Sequence, residues 1–152
     1  MFAKMVLYGC AGNQESLKLS TGVPLYMLIN DFINDNDRKF VVTSAHDTTL
    51  LAILSNLQDN IMESVDNDEF EWPTYGSFII FEVWEDQDTK QRYVKVIFDK
   101  KYIKIYNKHR LTVNELKDIW KHKLISPQDY YDTYIKPTLD EPELEPEMTQ
   151  QS

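Results

Sequence analysis

The feature that most constrains the fold is a pair of β-rich segments on either side of a short polar stretch. Residues 77–85 (SFIIFEVWE) and 92–100 (RYVKVIFDK) are rich in β-branched and aromatic side chains, whereas residues 86–91 are polar. This order predicts an antiparallel β-hairpin closed by a polar turn. Residues 102–106 (YIKIY) either form a third strand or extend the second.

The first half of the chain has a different pattern. From Val23 the apolar side chains follow helical spacing, with Pro24 suited to a first turn and the Asn/Asp run at residues 34–37 suited to the end. The β-branched run at residues 39–44 (KFVVTS) predicts a buried strand, and residues 47–57 predict a second helix. A helix, a strand and a helix in close order indicate an α/β layer, so the predicted fold class is α/β.

Two capping motifs predict helices after the hairpin. Thr112 and Glu115 fit a capping box at the start of one helix, whose apolar face includes Trp120. Ser126 starts a second, short helix, which Pro137 is expected to end. These helices are expected to close the domain.

The chain is strongly acidic, but its charge is unevenly distributed. Asp and Glu number 25 against 16 Lys and Arg, and the formal net charge of −9 argues against a non-specific nucleic-acid or anionic-membrane binder. Eleven of the acids lie in residues 58–71 and 140–147, and the rest of the chain has a formal charge of +2. We predict one domain over residues 1–137, followed by a disordered acidic tail at residues 138–152.

The sequence gives few indications of a compartment. Cys10 is the only cysteine, so an intrachain disulfide and a cysteine-based zinc site are excluded. No apolar run is long enough to span a bilayer. The N-terminal residues make a poor signal peptide, because Lys4 interrupts a short apolar region. These features favour a reducing compartment or a natural N-terminus that lies elsewhere, and the localisation stays unknown.

The residues best suited to chemistry lie where the predicted strand meets the second helix. His46 and Asp47 follow the strand, with Asp47 or Thr48 as the predicted N-cap. In α/β folds, ligands bind beyond the carboxyl ends of strands, and a helix N-terminus there favours an anion such as phosphate. His46 would add charge-assisted hydrogen bonds, and Asp47 would cap the helix or donate a proton to a leaving oxygen. The alternative is a plain helix cap beside a structural histidine.

His46, Asp47 and Thr48 form the corner where the predicted strand meets the second helix, and the longer string around them carries a family resemblance. Residues 44–50 (SAHDTTL) resemble the second signature of the histidine acid phosphatases, a branch of the histidine phosphatase superfamily. Residues 72–77 (WPTYGS) resemble the family's Pro-x-Tyr-x-Ser segment, which leads into a hairpin, and residues 111–124 are similar to the helix that follows it. The resemblance covers residues 15–135 and implies the C-terminal part of a three-layer α/β/α fold.

The resemblance implies a phosphomonoester hydrolase of the acid phosphatase type, which forms a phosphohistidine on a histidine nucleophile. Carried over by motif position, His46 is the phosphate-binding histidine, Asp47 is the proton donor to the leaving alcohol, and Thr48 contributes to substrate binding. The resemblance implies neither a cofactor nor a metal, and the implied partner is a phosphate monoester. Full-length members of the family are commonly secreted, lysosomal or periplasmic.

The family's nucleophile motif, R-H-G-x-R-x-P, does not occur in the sequence. The other histidines, His109 and His122, lie in different contexts and are expected at the surface. The chain therefore resembles a C-terminal portion that is nearly inactive alone, with unpaired sheet edges prone to association. Two other interpretations stay open: a non-catalytic pseudo-phosphatase that acts as a phosphate-binding or interaction domain, and a small α/β domain whose corner is only a helix cap.

Overall fold

The computed structural model describes residues 14–33, 39–57 and 72–140. Its elements, in chain order, are α1 (Gln14–Ile33), α2 (Asp47–Ser55), β1 (Ile79–Glu85), β2 (Arg92–Phe98), β3 (Lys101–Ile103), β4 (Leu111–Thr112), α3 (Val113–Trp120), α4 (Pro127–Tyr130), a π-helical turn (Tyr131–Ile135) and α5 (Lys136–Asp140). This mixture of helices and strands confirms the predicted α/β class. Within the described stretches, no helix is long and apolar enough to cross a membrane. The acidic segment at residues 58–71 and the tail from residue 141 lie outside them.

The sheet is antiparallel, with the strand order β1-β2-β3 and with β4 also paired to β2. Phe81 on β1 lies opposite Val96 on β2, which lies opposite Ile103 on β3. At the turn between β1 and β2, the backbone N–H of Asp86 donates to the oxygen of Gln91 at 2.9 Å. The predicted hairpin is therefore confirmed, and β3 is a separate third strand.

One face of the sheet forms the core with α1, α2 and α3. Alternation along the strands places Val94 and Val96 on this face, where both are fully buried, while Trp84 on the outer face is 53% exposed. The buried cluster joins the three helices to the sheet through Leu25, Ile29, Ile53, Leu54, Leu57, Val94, Val96, Ile105, Leu111, Val113, Leu116 and Trp120. The described helices therefore cover one side of the sheet.

The C-terminal end of α2 is anchored by Asn56, which is fully buried. Its Nδ2 donates to Oγ1 of Thr21 on α1 at 2.9 Å and to the backbone oxygen of Ala52 at 2.8 Å. Its own backbone oxygen accepts a hydrogen bond of 2.7 Å from the hydroxyl of Tyr106. These bonds hold α2 against α1 and the segment after β3, and so determine where the N-terminal end of α2 lies.

The strand predicted at residues 39–44 is wrong. These residues have no regular secondary structure, and the side chains of Phe40, Val41 and Val42 are 84%, 50% and 75% exposed. A β-branched run becomes a strand only where a neighbour supplies hydrogen bonds, and none of the described strands pairs with this run. Residues 39–46, which lead into α2, are therefore irregular. The outer edge of β1 is also without a partner strand among the described strands.

Helix α1 begins earlier than predicted. It starts at Gln14, so Pro24 lies inside the helix rather than in its first turn. Tertiary contacts stabilise this earlier part, because Thr21 and Gly22 are buried and the oxygen of Gly22 accepts a hydrogen bond from the N–H of Ile125.

The C-terminal helices agree with the predicted starts but not with the predicted end. The Thr112–Glu115 capping box is present, and the hydroxyl of Ser126 accepts a hydrogen bond from the N–H of Asp129 at 3.0 Å. Pro137 does not end the last helix, which continues to Asp140. The π-helical turn Tyr131–Ile135 runs directly into α5, so Pro137 lies inside a continuous helical segment, where proline removes a hydrogen bond and kinks or breaks the helix; here the helix continues.

Candidate functional site

His46 is the N-cap of α2, one residue before Asp47 and two residues before Thr48, which were the predicted caps. Its backbone is extended, and its oxygen accepts hydrogen bonds from the N–H groups of Thr49 and Leu50 at 3.0 and 3.1 Å. Its side chain makes no capping hydrogen bond. Because the residue is also exposed, the imidazole is open to solvent and to a ligand.

Asp47 is the first residue of α2, and each of its carboxylate oxygens has a donor. Oδ1 accepts a hydrogen bond of 2.8 Å from the backbone N–H of Thr48, and Oδ2 accepts one of 3.1 Å from the indole Nε1 of Trp72. The first bond satisfies an N–H at the helix start. The second connects α2 to the segment before β1. Asp47 therefore serves as an acceptor that joins two segments distant in the chain.

The structure brings His46, Asp47 and Thr48 together at the start of one helix. The partial positive charge of this helix end favours an anion, although the N–H of Thr48 is already bonded to Asp47. An imidazole N–H of His46 is suited to an anion oxygen, and a protonated Asp47 is suited to donate to a leaving oxygen. The geometry allows oxyanion binding and proton transfer, and the roles of the three residues stay predictions.

The structure describes two cavities, one at the hairpin and one at the turn that follows Trp72. One, of about 190 Å³, is beside Trp84 on the hairpin, and the other, of about 310 Å³, is beside residues 74–78. Neither is lined by His46, Asp47 or Thr48. The corner is therefore an exposed surface in this structure and not the wall of either cavity.

Residues 72–77 form a tight turn before β1. Gly76 adopts a φ of +81°, in the left-handed region that favours glycine. The hydroxyl of Ser77 accepts a hydrogen bond from the N–H of Thr74 at 2.9 Å and donates one of 2.7 Å to Oδ2 of Asp99. Asp99 follows β2, so this bond fastens the turn to the open end of the hairpin. Because Trp72 is the first residue of this segment, the anchored turn also determines where Trp72 lies.

Sequence reasoning missed the roles of Trp72 and Asp99. Trp72 entered the sequence analysis only as the first residue of the segment 72–77, and in the structure its indole donates to Asp47. Its position beside the Pro-x-Tyr-x-Ser segment was an available signal. No local pattern indicated Asp99, because its partner Ser77 lies 22 residues earlier in the chain, before the other strand of the hairpin.

The remaining histidines are at the surface, as predicted. His109 lies in the bend before β4 and His122 in the turn after α3, and both are exposed. Arg110 stacks on Tyr93 with its guanidinium carbon 4.5 Å from the ring centroid. Within the part of the chain that the structure describes, no group of three or more His, Cys, Asp or Glu side chains could hold a metal ion.

Comparison with known proteins adds one finding at the level of family. The family model of the histidine phosphatase superfamily (branch 2) matches residues 3–99. This match spans more than half of the chain and includes the corner at His46, the turn at residues 72–77 and the hairpin. A search of curated proteins gives no match.

Proposed function

Because the chain belongs to branch 2 of the histidine phosphatase superfamily, we propose that His46, Asp47 and Thr48 form part of a phosphomonoesterase site of the acid phosphatase type. Membership of this superfamily indicates phosphatase chemistry in general. The finer proposal gives each residue a role: His46 binds a phosphate oxygen, Thr48 contributes to the same site, and Asp47 protonates the leaving alcohol. The observation that carries it is the exposed His46–Asp47 pair at the start of α2, inside the matched region.

The proposed reaction has two steps. A histidine nucleophile attacks phosphorus, the P–O bond to the alcohol breaks, and Asp47 supplies the proton that the leaving oxygen needs. Water then hydrolyses the phosphohistidine. The sequence contains no R-H-G-x-R-x-P string, and His109 and His122 are exposed on other elements. We therefore propose that this chain corresponds to the C-terminal part of the enzyme and has little activity by itself.

Oxyanion binding tests the corner directly. We expect orthovanadate or inorganic phosphate to shift the NMR resonances of residues 46–49, and His46→Ala to weaken this binding about tenfold, because a charge-assisted hydrogen bond is lost. His122→Ala is the matched control, since it removes an exposed histidine from another element. If both variants bind vanadate like the unchanged chain, the proposed site is wrong.

Hydrolysis of a phosphate ester tests the proposal that the chain lacks the family's histidine nucleophile. The 152-residue chain is expected to release little alcohol from a chromogenic phosphate ester in the presence of a chelator. Rapid turnover that survives His46→Ala would contradict both the missing nucleophile and the role of His46.

A non-catalytic phosphate-binding domain is the second candidate. It is favoured by the contacts of Asp47, whose two oxygens already accept hydrogen bonds from Thr48 and Trp72 as a helix-capping carboxylate would. The coding sequence upstream separates the two candidates. An R-H-G-x-R-x-P string in the same frame favours the enzyme, and a genuine start at Met1 favours the pseudoenzyme.

A further inference from the structure

The outer face of the sheet is an exposed surface, whereas the described helices pack on the inner face. Alternation along β1 and β2 places three cross-strand pairs on it: Ile80 with Ile97, Glu82 with Lys95, and Trp84 with Tyr93. Tyr102 of β3 lies beside Ile97 on the same face. The side chains of Ile80, Trp84 and Tyr102 are 43%, 53% and 60% exposed. Adjacent exposed apolar side chains of this size mark an interaction surface.

The central pair of this face carries opposite charges. Oε2 of Glu82 accepts hydrogen bonds from the indole of Trp84 at 3.2 Å and from the hydroxyl of Tyr102 at 2.9 Å. Lys95 Nζ lies 4.9 Å from the ring centroid of Trp84. Among the described residues, neither Glu82 nor Lys95 forms an ion pair. A carboxylate has further acceptor positions and an ammonium group has three donors, so both groups can take a charged partner from outside.

The charges at the hairpin end of the face balance each other. Glu85 pairs with Lys90 at 3.6 Å, and Asp86 is attracted to Arg110. A face on which acids and bases balance selects neither an acidic nor a basic partner. It suits a partner that presents the same pattern with the positions of the two signs exchanged.

A second copy of the chain presents that pattern. Glu82 and Lys95 lie directly opposite each other on adjacent strands, so a two-fold axis along the strands, midway between β1 and β2, exchanges their positions. Two sheets packed face to face about this axis place Glu82 of each copy over Lys95 of the other. The same operation places Ile80 over Ile97 and Trp84 over Tyr93, apolar on apolar. Aligned sheets about 10 Å apart are a common packing arrangement.

We propose that the outer face of the sheet is a homodimer interface, in which two copies pack face to face around their Glu82–Lys95 pairs. Alternating charges then meet at the centre, and aromatic and aliphatic side chains surround them. The charges select this alignment, because a shift of two residues along the strands would press Glu82 against Tyr93 or Ile97 and leave it unpaired. None of these residues belongs to the proposed phosphatase site.

Sedimentation equilibrium of the full chain over about 5 to 500 µM measures the association. We expect single chains at the low end of this range and dimers at the high end. Lys95→Glu and Glu82→Lys should each weaken the dimer about tenfold or more, because each change opposes like charges at two symmetric contacts. Trp84→Ala should weaken it through lost apolar contact. Lys117→Glu is the matched control, since it makes the same charge change at an exposed lysine of α3.

An equal mixture of the Lys95→Glu chain and the Glu82→Lys chain tests the contact between copies. Each variant alone opposes like charges across the two-fold axis, but a mixed dimer pairs opposite charges at both contacts. We expect the mixture to dimerise within about threefold of the affinity of the unchanged chain. Circular dichroism of each variant establishes that it is folded, and a change that only unfolded the sheet would not be reversed by mixing.

Three results would overturn the proposal. A chain that stays monomeric at the highest concentration would show that a second copy does not cover this face. Self-association of unchanged strength in both charge variants would place the contact elsewhere, for example at the outer edge of β1. A mixture of two folded charge variants that stays monomeric, while the unchanged chain dimerises, would exclude contact between Glu82 and Lys95 across the axis.

Discussion

The indole Nε1 of Trp120 donates a hydrogen bond of 2.9 Å to the backbone oxygen of Asn56, which lies 64 residues earlier in the chain. Both residues are fully buried, and the same oxygen accepts the hydroxyl of Tyr106. This one carbonyl therefore connects α2, the segment after β3 and α3. Loss of either donor should therefore lower the free energy of unfolding of the whole domain.

We expect Trp120→Phe to lower the free energy of unfolding by about 2–3 kcal/mol, because it removes the donor and leaves a cavity. Tyr106→Phe removes only a hydroxyl and should cost about 1 kcal/mol. Urea denaturation measures both. A loss below about 0.5 kcal/mol for Trp120→Phe would show that this bond and its packing matter little.

The packing around Gly22 leaves no room even for the methyl group of alanine. A Cβ there would lie 2.7 Å from Cγ2 of Ile125 and 2.9 Å from the backbone oxygen of Lys123, which cannot move cheaply. Gly22→Ala should lower the free energy of unfolding by about 1–2 kcal/mol, although alanine favours the helix by about 1 kcal/mol. Met27→Ala on the same helix, at a residue 54% exposed, is the control. A Gly22→Ala chain that is more stable in urea would contradict the close packing of α1 on this loop.

Glu115 should make stability depend on pH in the acid range. Hydrogen bonds from the backbone N–H of Thr112, from Lys108 and from the Thr112 hydroxyl lower the pKa of Glu115 from 4.5 to about 2. Since the pKa is lowered in the folded state, the stabilisation is complete above pH 4.5 and disappears as pH falls towards 2. The side chain is 45% exposed, so solvent screening reduces the effect to about 1 kcal/mol.

Glu115→Gln tests this contribution by urea unfolding at two pH values. The variant should be about 1 kcal/mol less stable than the unchanged chain near neutral pH, and equally stable near pH 2. Asp118→Asn removes a nearby exposed acid of the same helix as the control. A deficit of Glu115→Gln that persists unchanged at the lower pH would show that charge is not its cause.

Each of the three tryptophans donates its indole N–H to a different acceptor, so their NMR resonances report separate sites. Asp47→Asn should move the indole resonance of Trp72 upfield, because a charged acceptor becomes neutral. The resonance of Trp84 should stay in place, and Glu82→Gln should have the reverse selectivity. Trp72→Phe should cost about 1 kcal/mol or less, since the bond is exposed. An unmoved Trp72 resonance in Asp47→Asn would show that this contact is absent in solution.

Local patterns in the sequence predicted those parts of the fold that depend on neighbouring residues. The hairpin followed from alternation and a polar turn, and the capping box followed from the spacing of Thr112 and Glu115. His46 and Asp47 were predicted at the start of a helix, and they lie there. The predicted cap, Asp47 or Thr48, was one or two residues too late, because backbone conformation and not side-chain type made His46 the last residue outside the helix.

The sequence by itself determined the α/β class, the hairpin and the capped starts of α3 and α4, because alternation, turns and caps act between residues a few positions apart. The tertiary structure decided that residues 39–44 form no strand, because a strand requires a neighbour that a β-branched run cannot supply for itself. It also decided that the indole of Trp72 reaches Asp47, and that Lys95 and Arg110 face one cavity. These relationships join residues far apart in the chain, so they exist only once packing has brought their elements together.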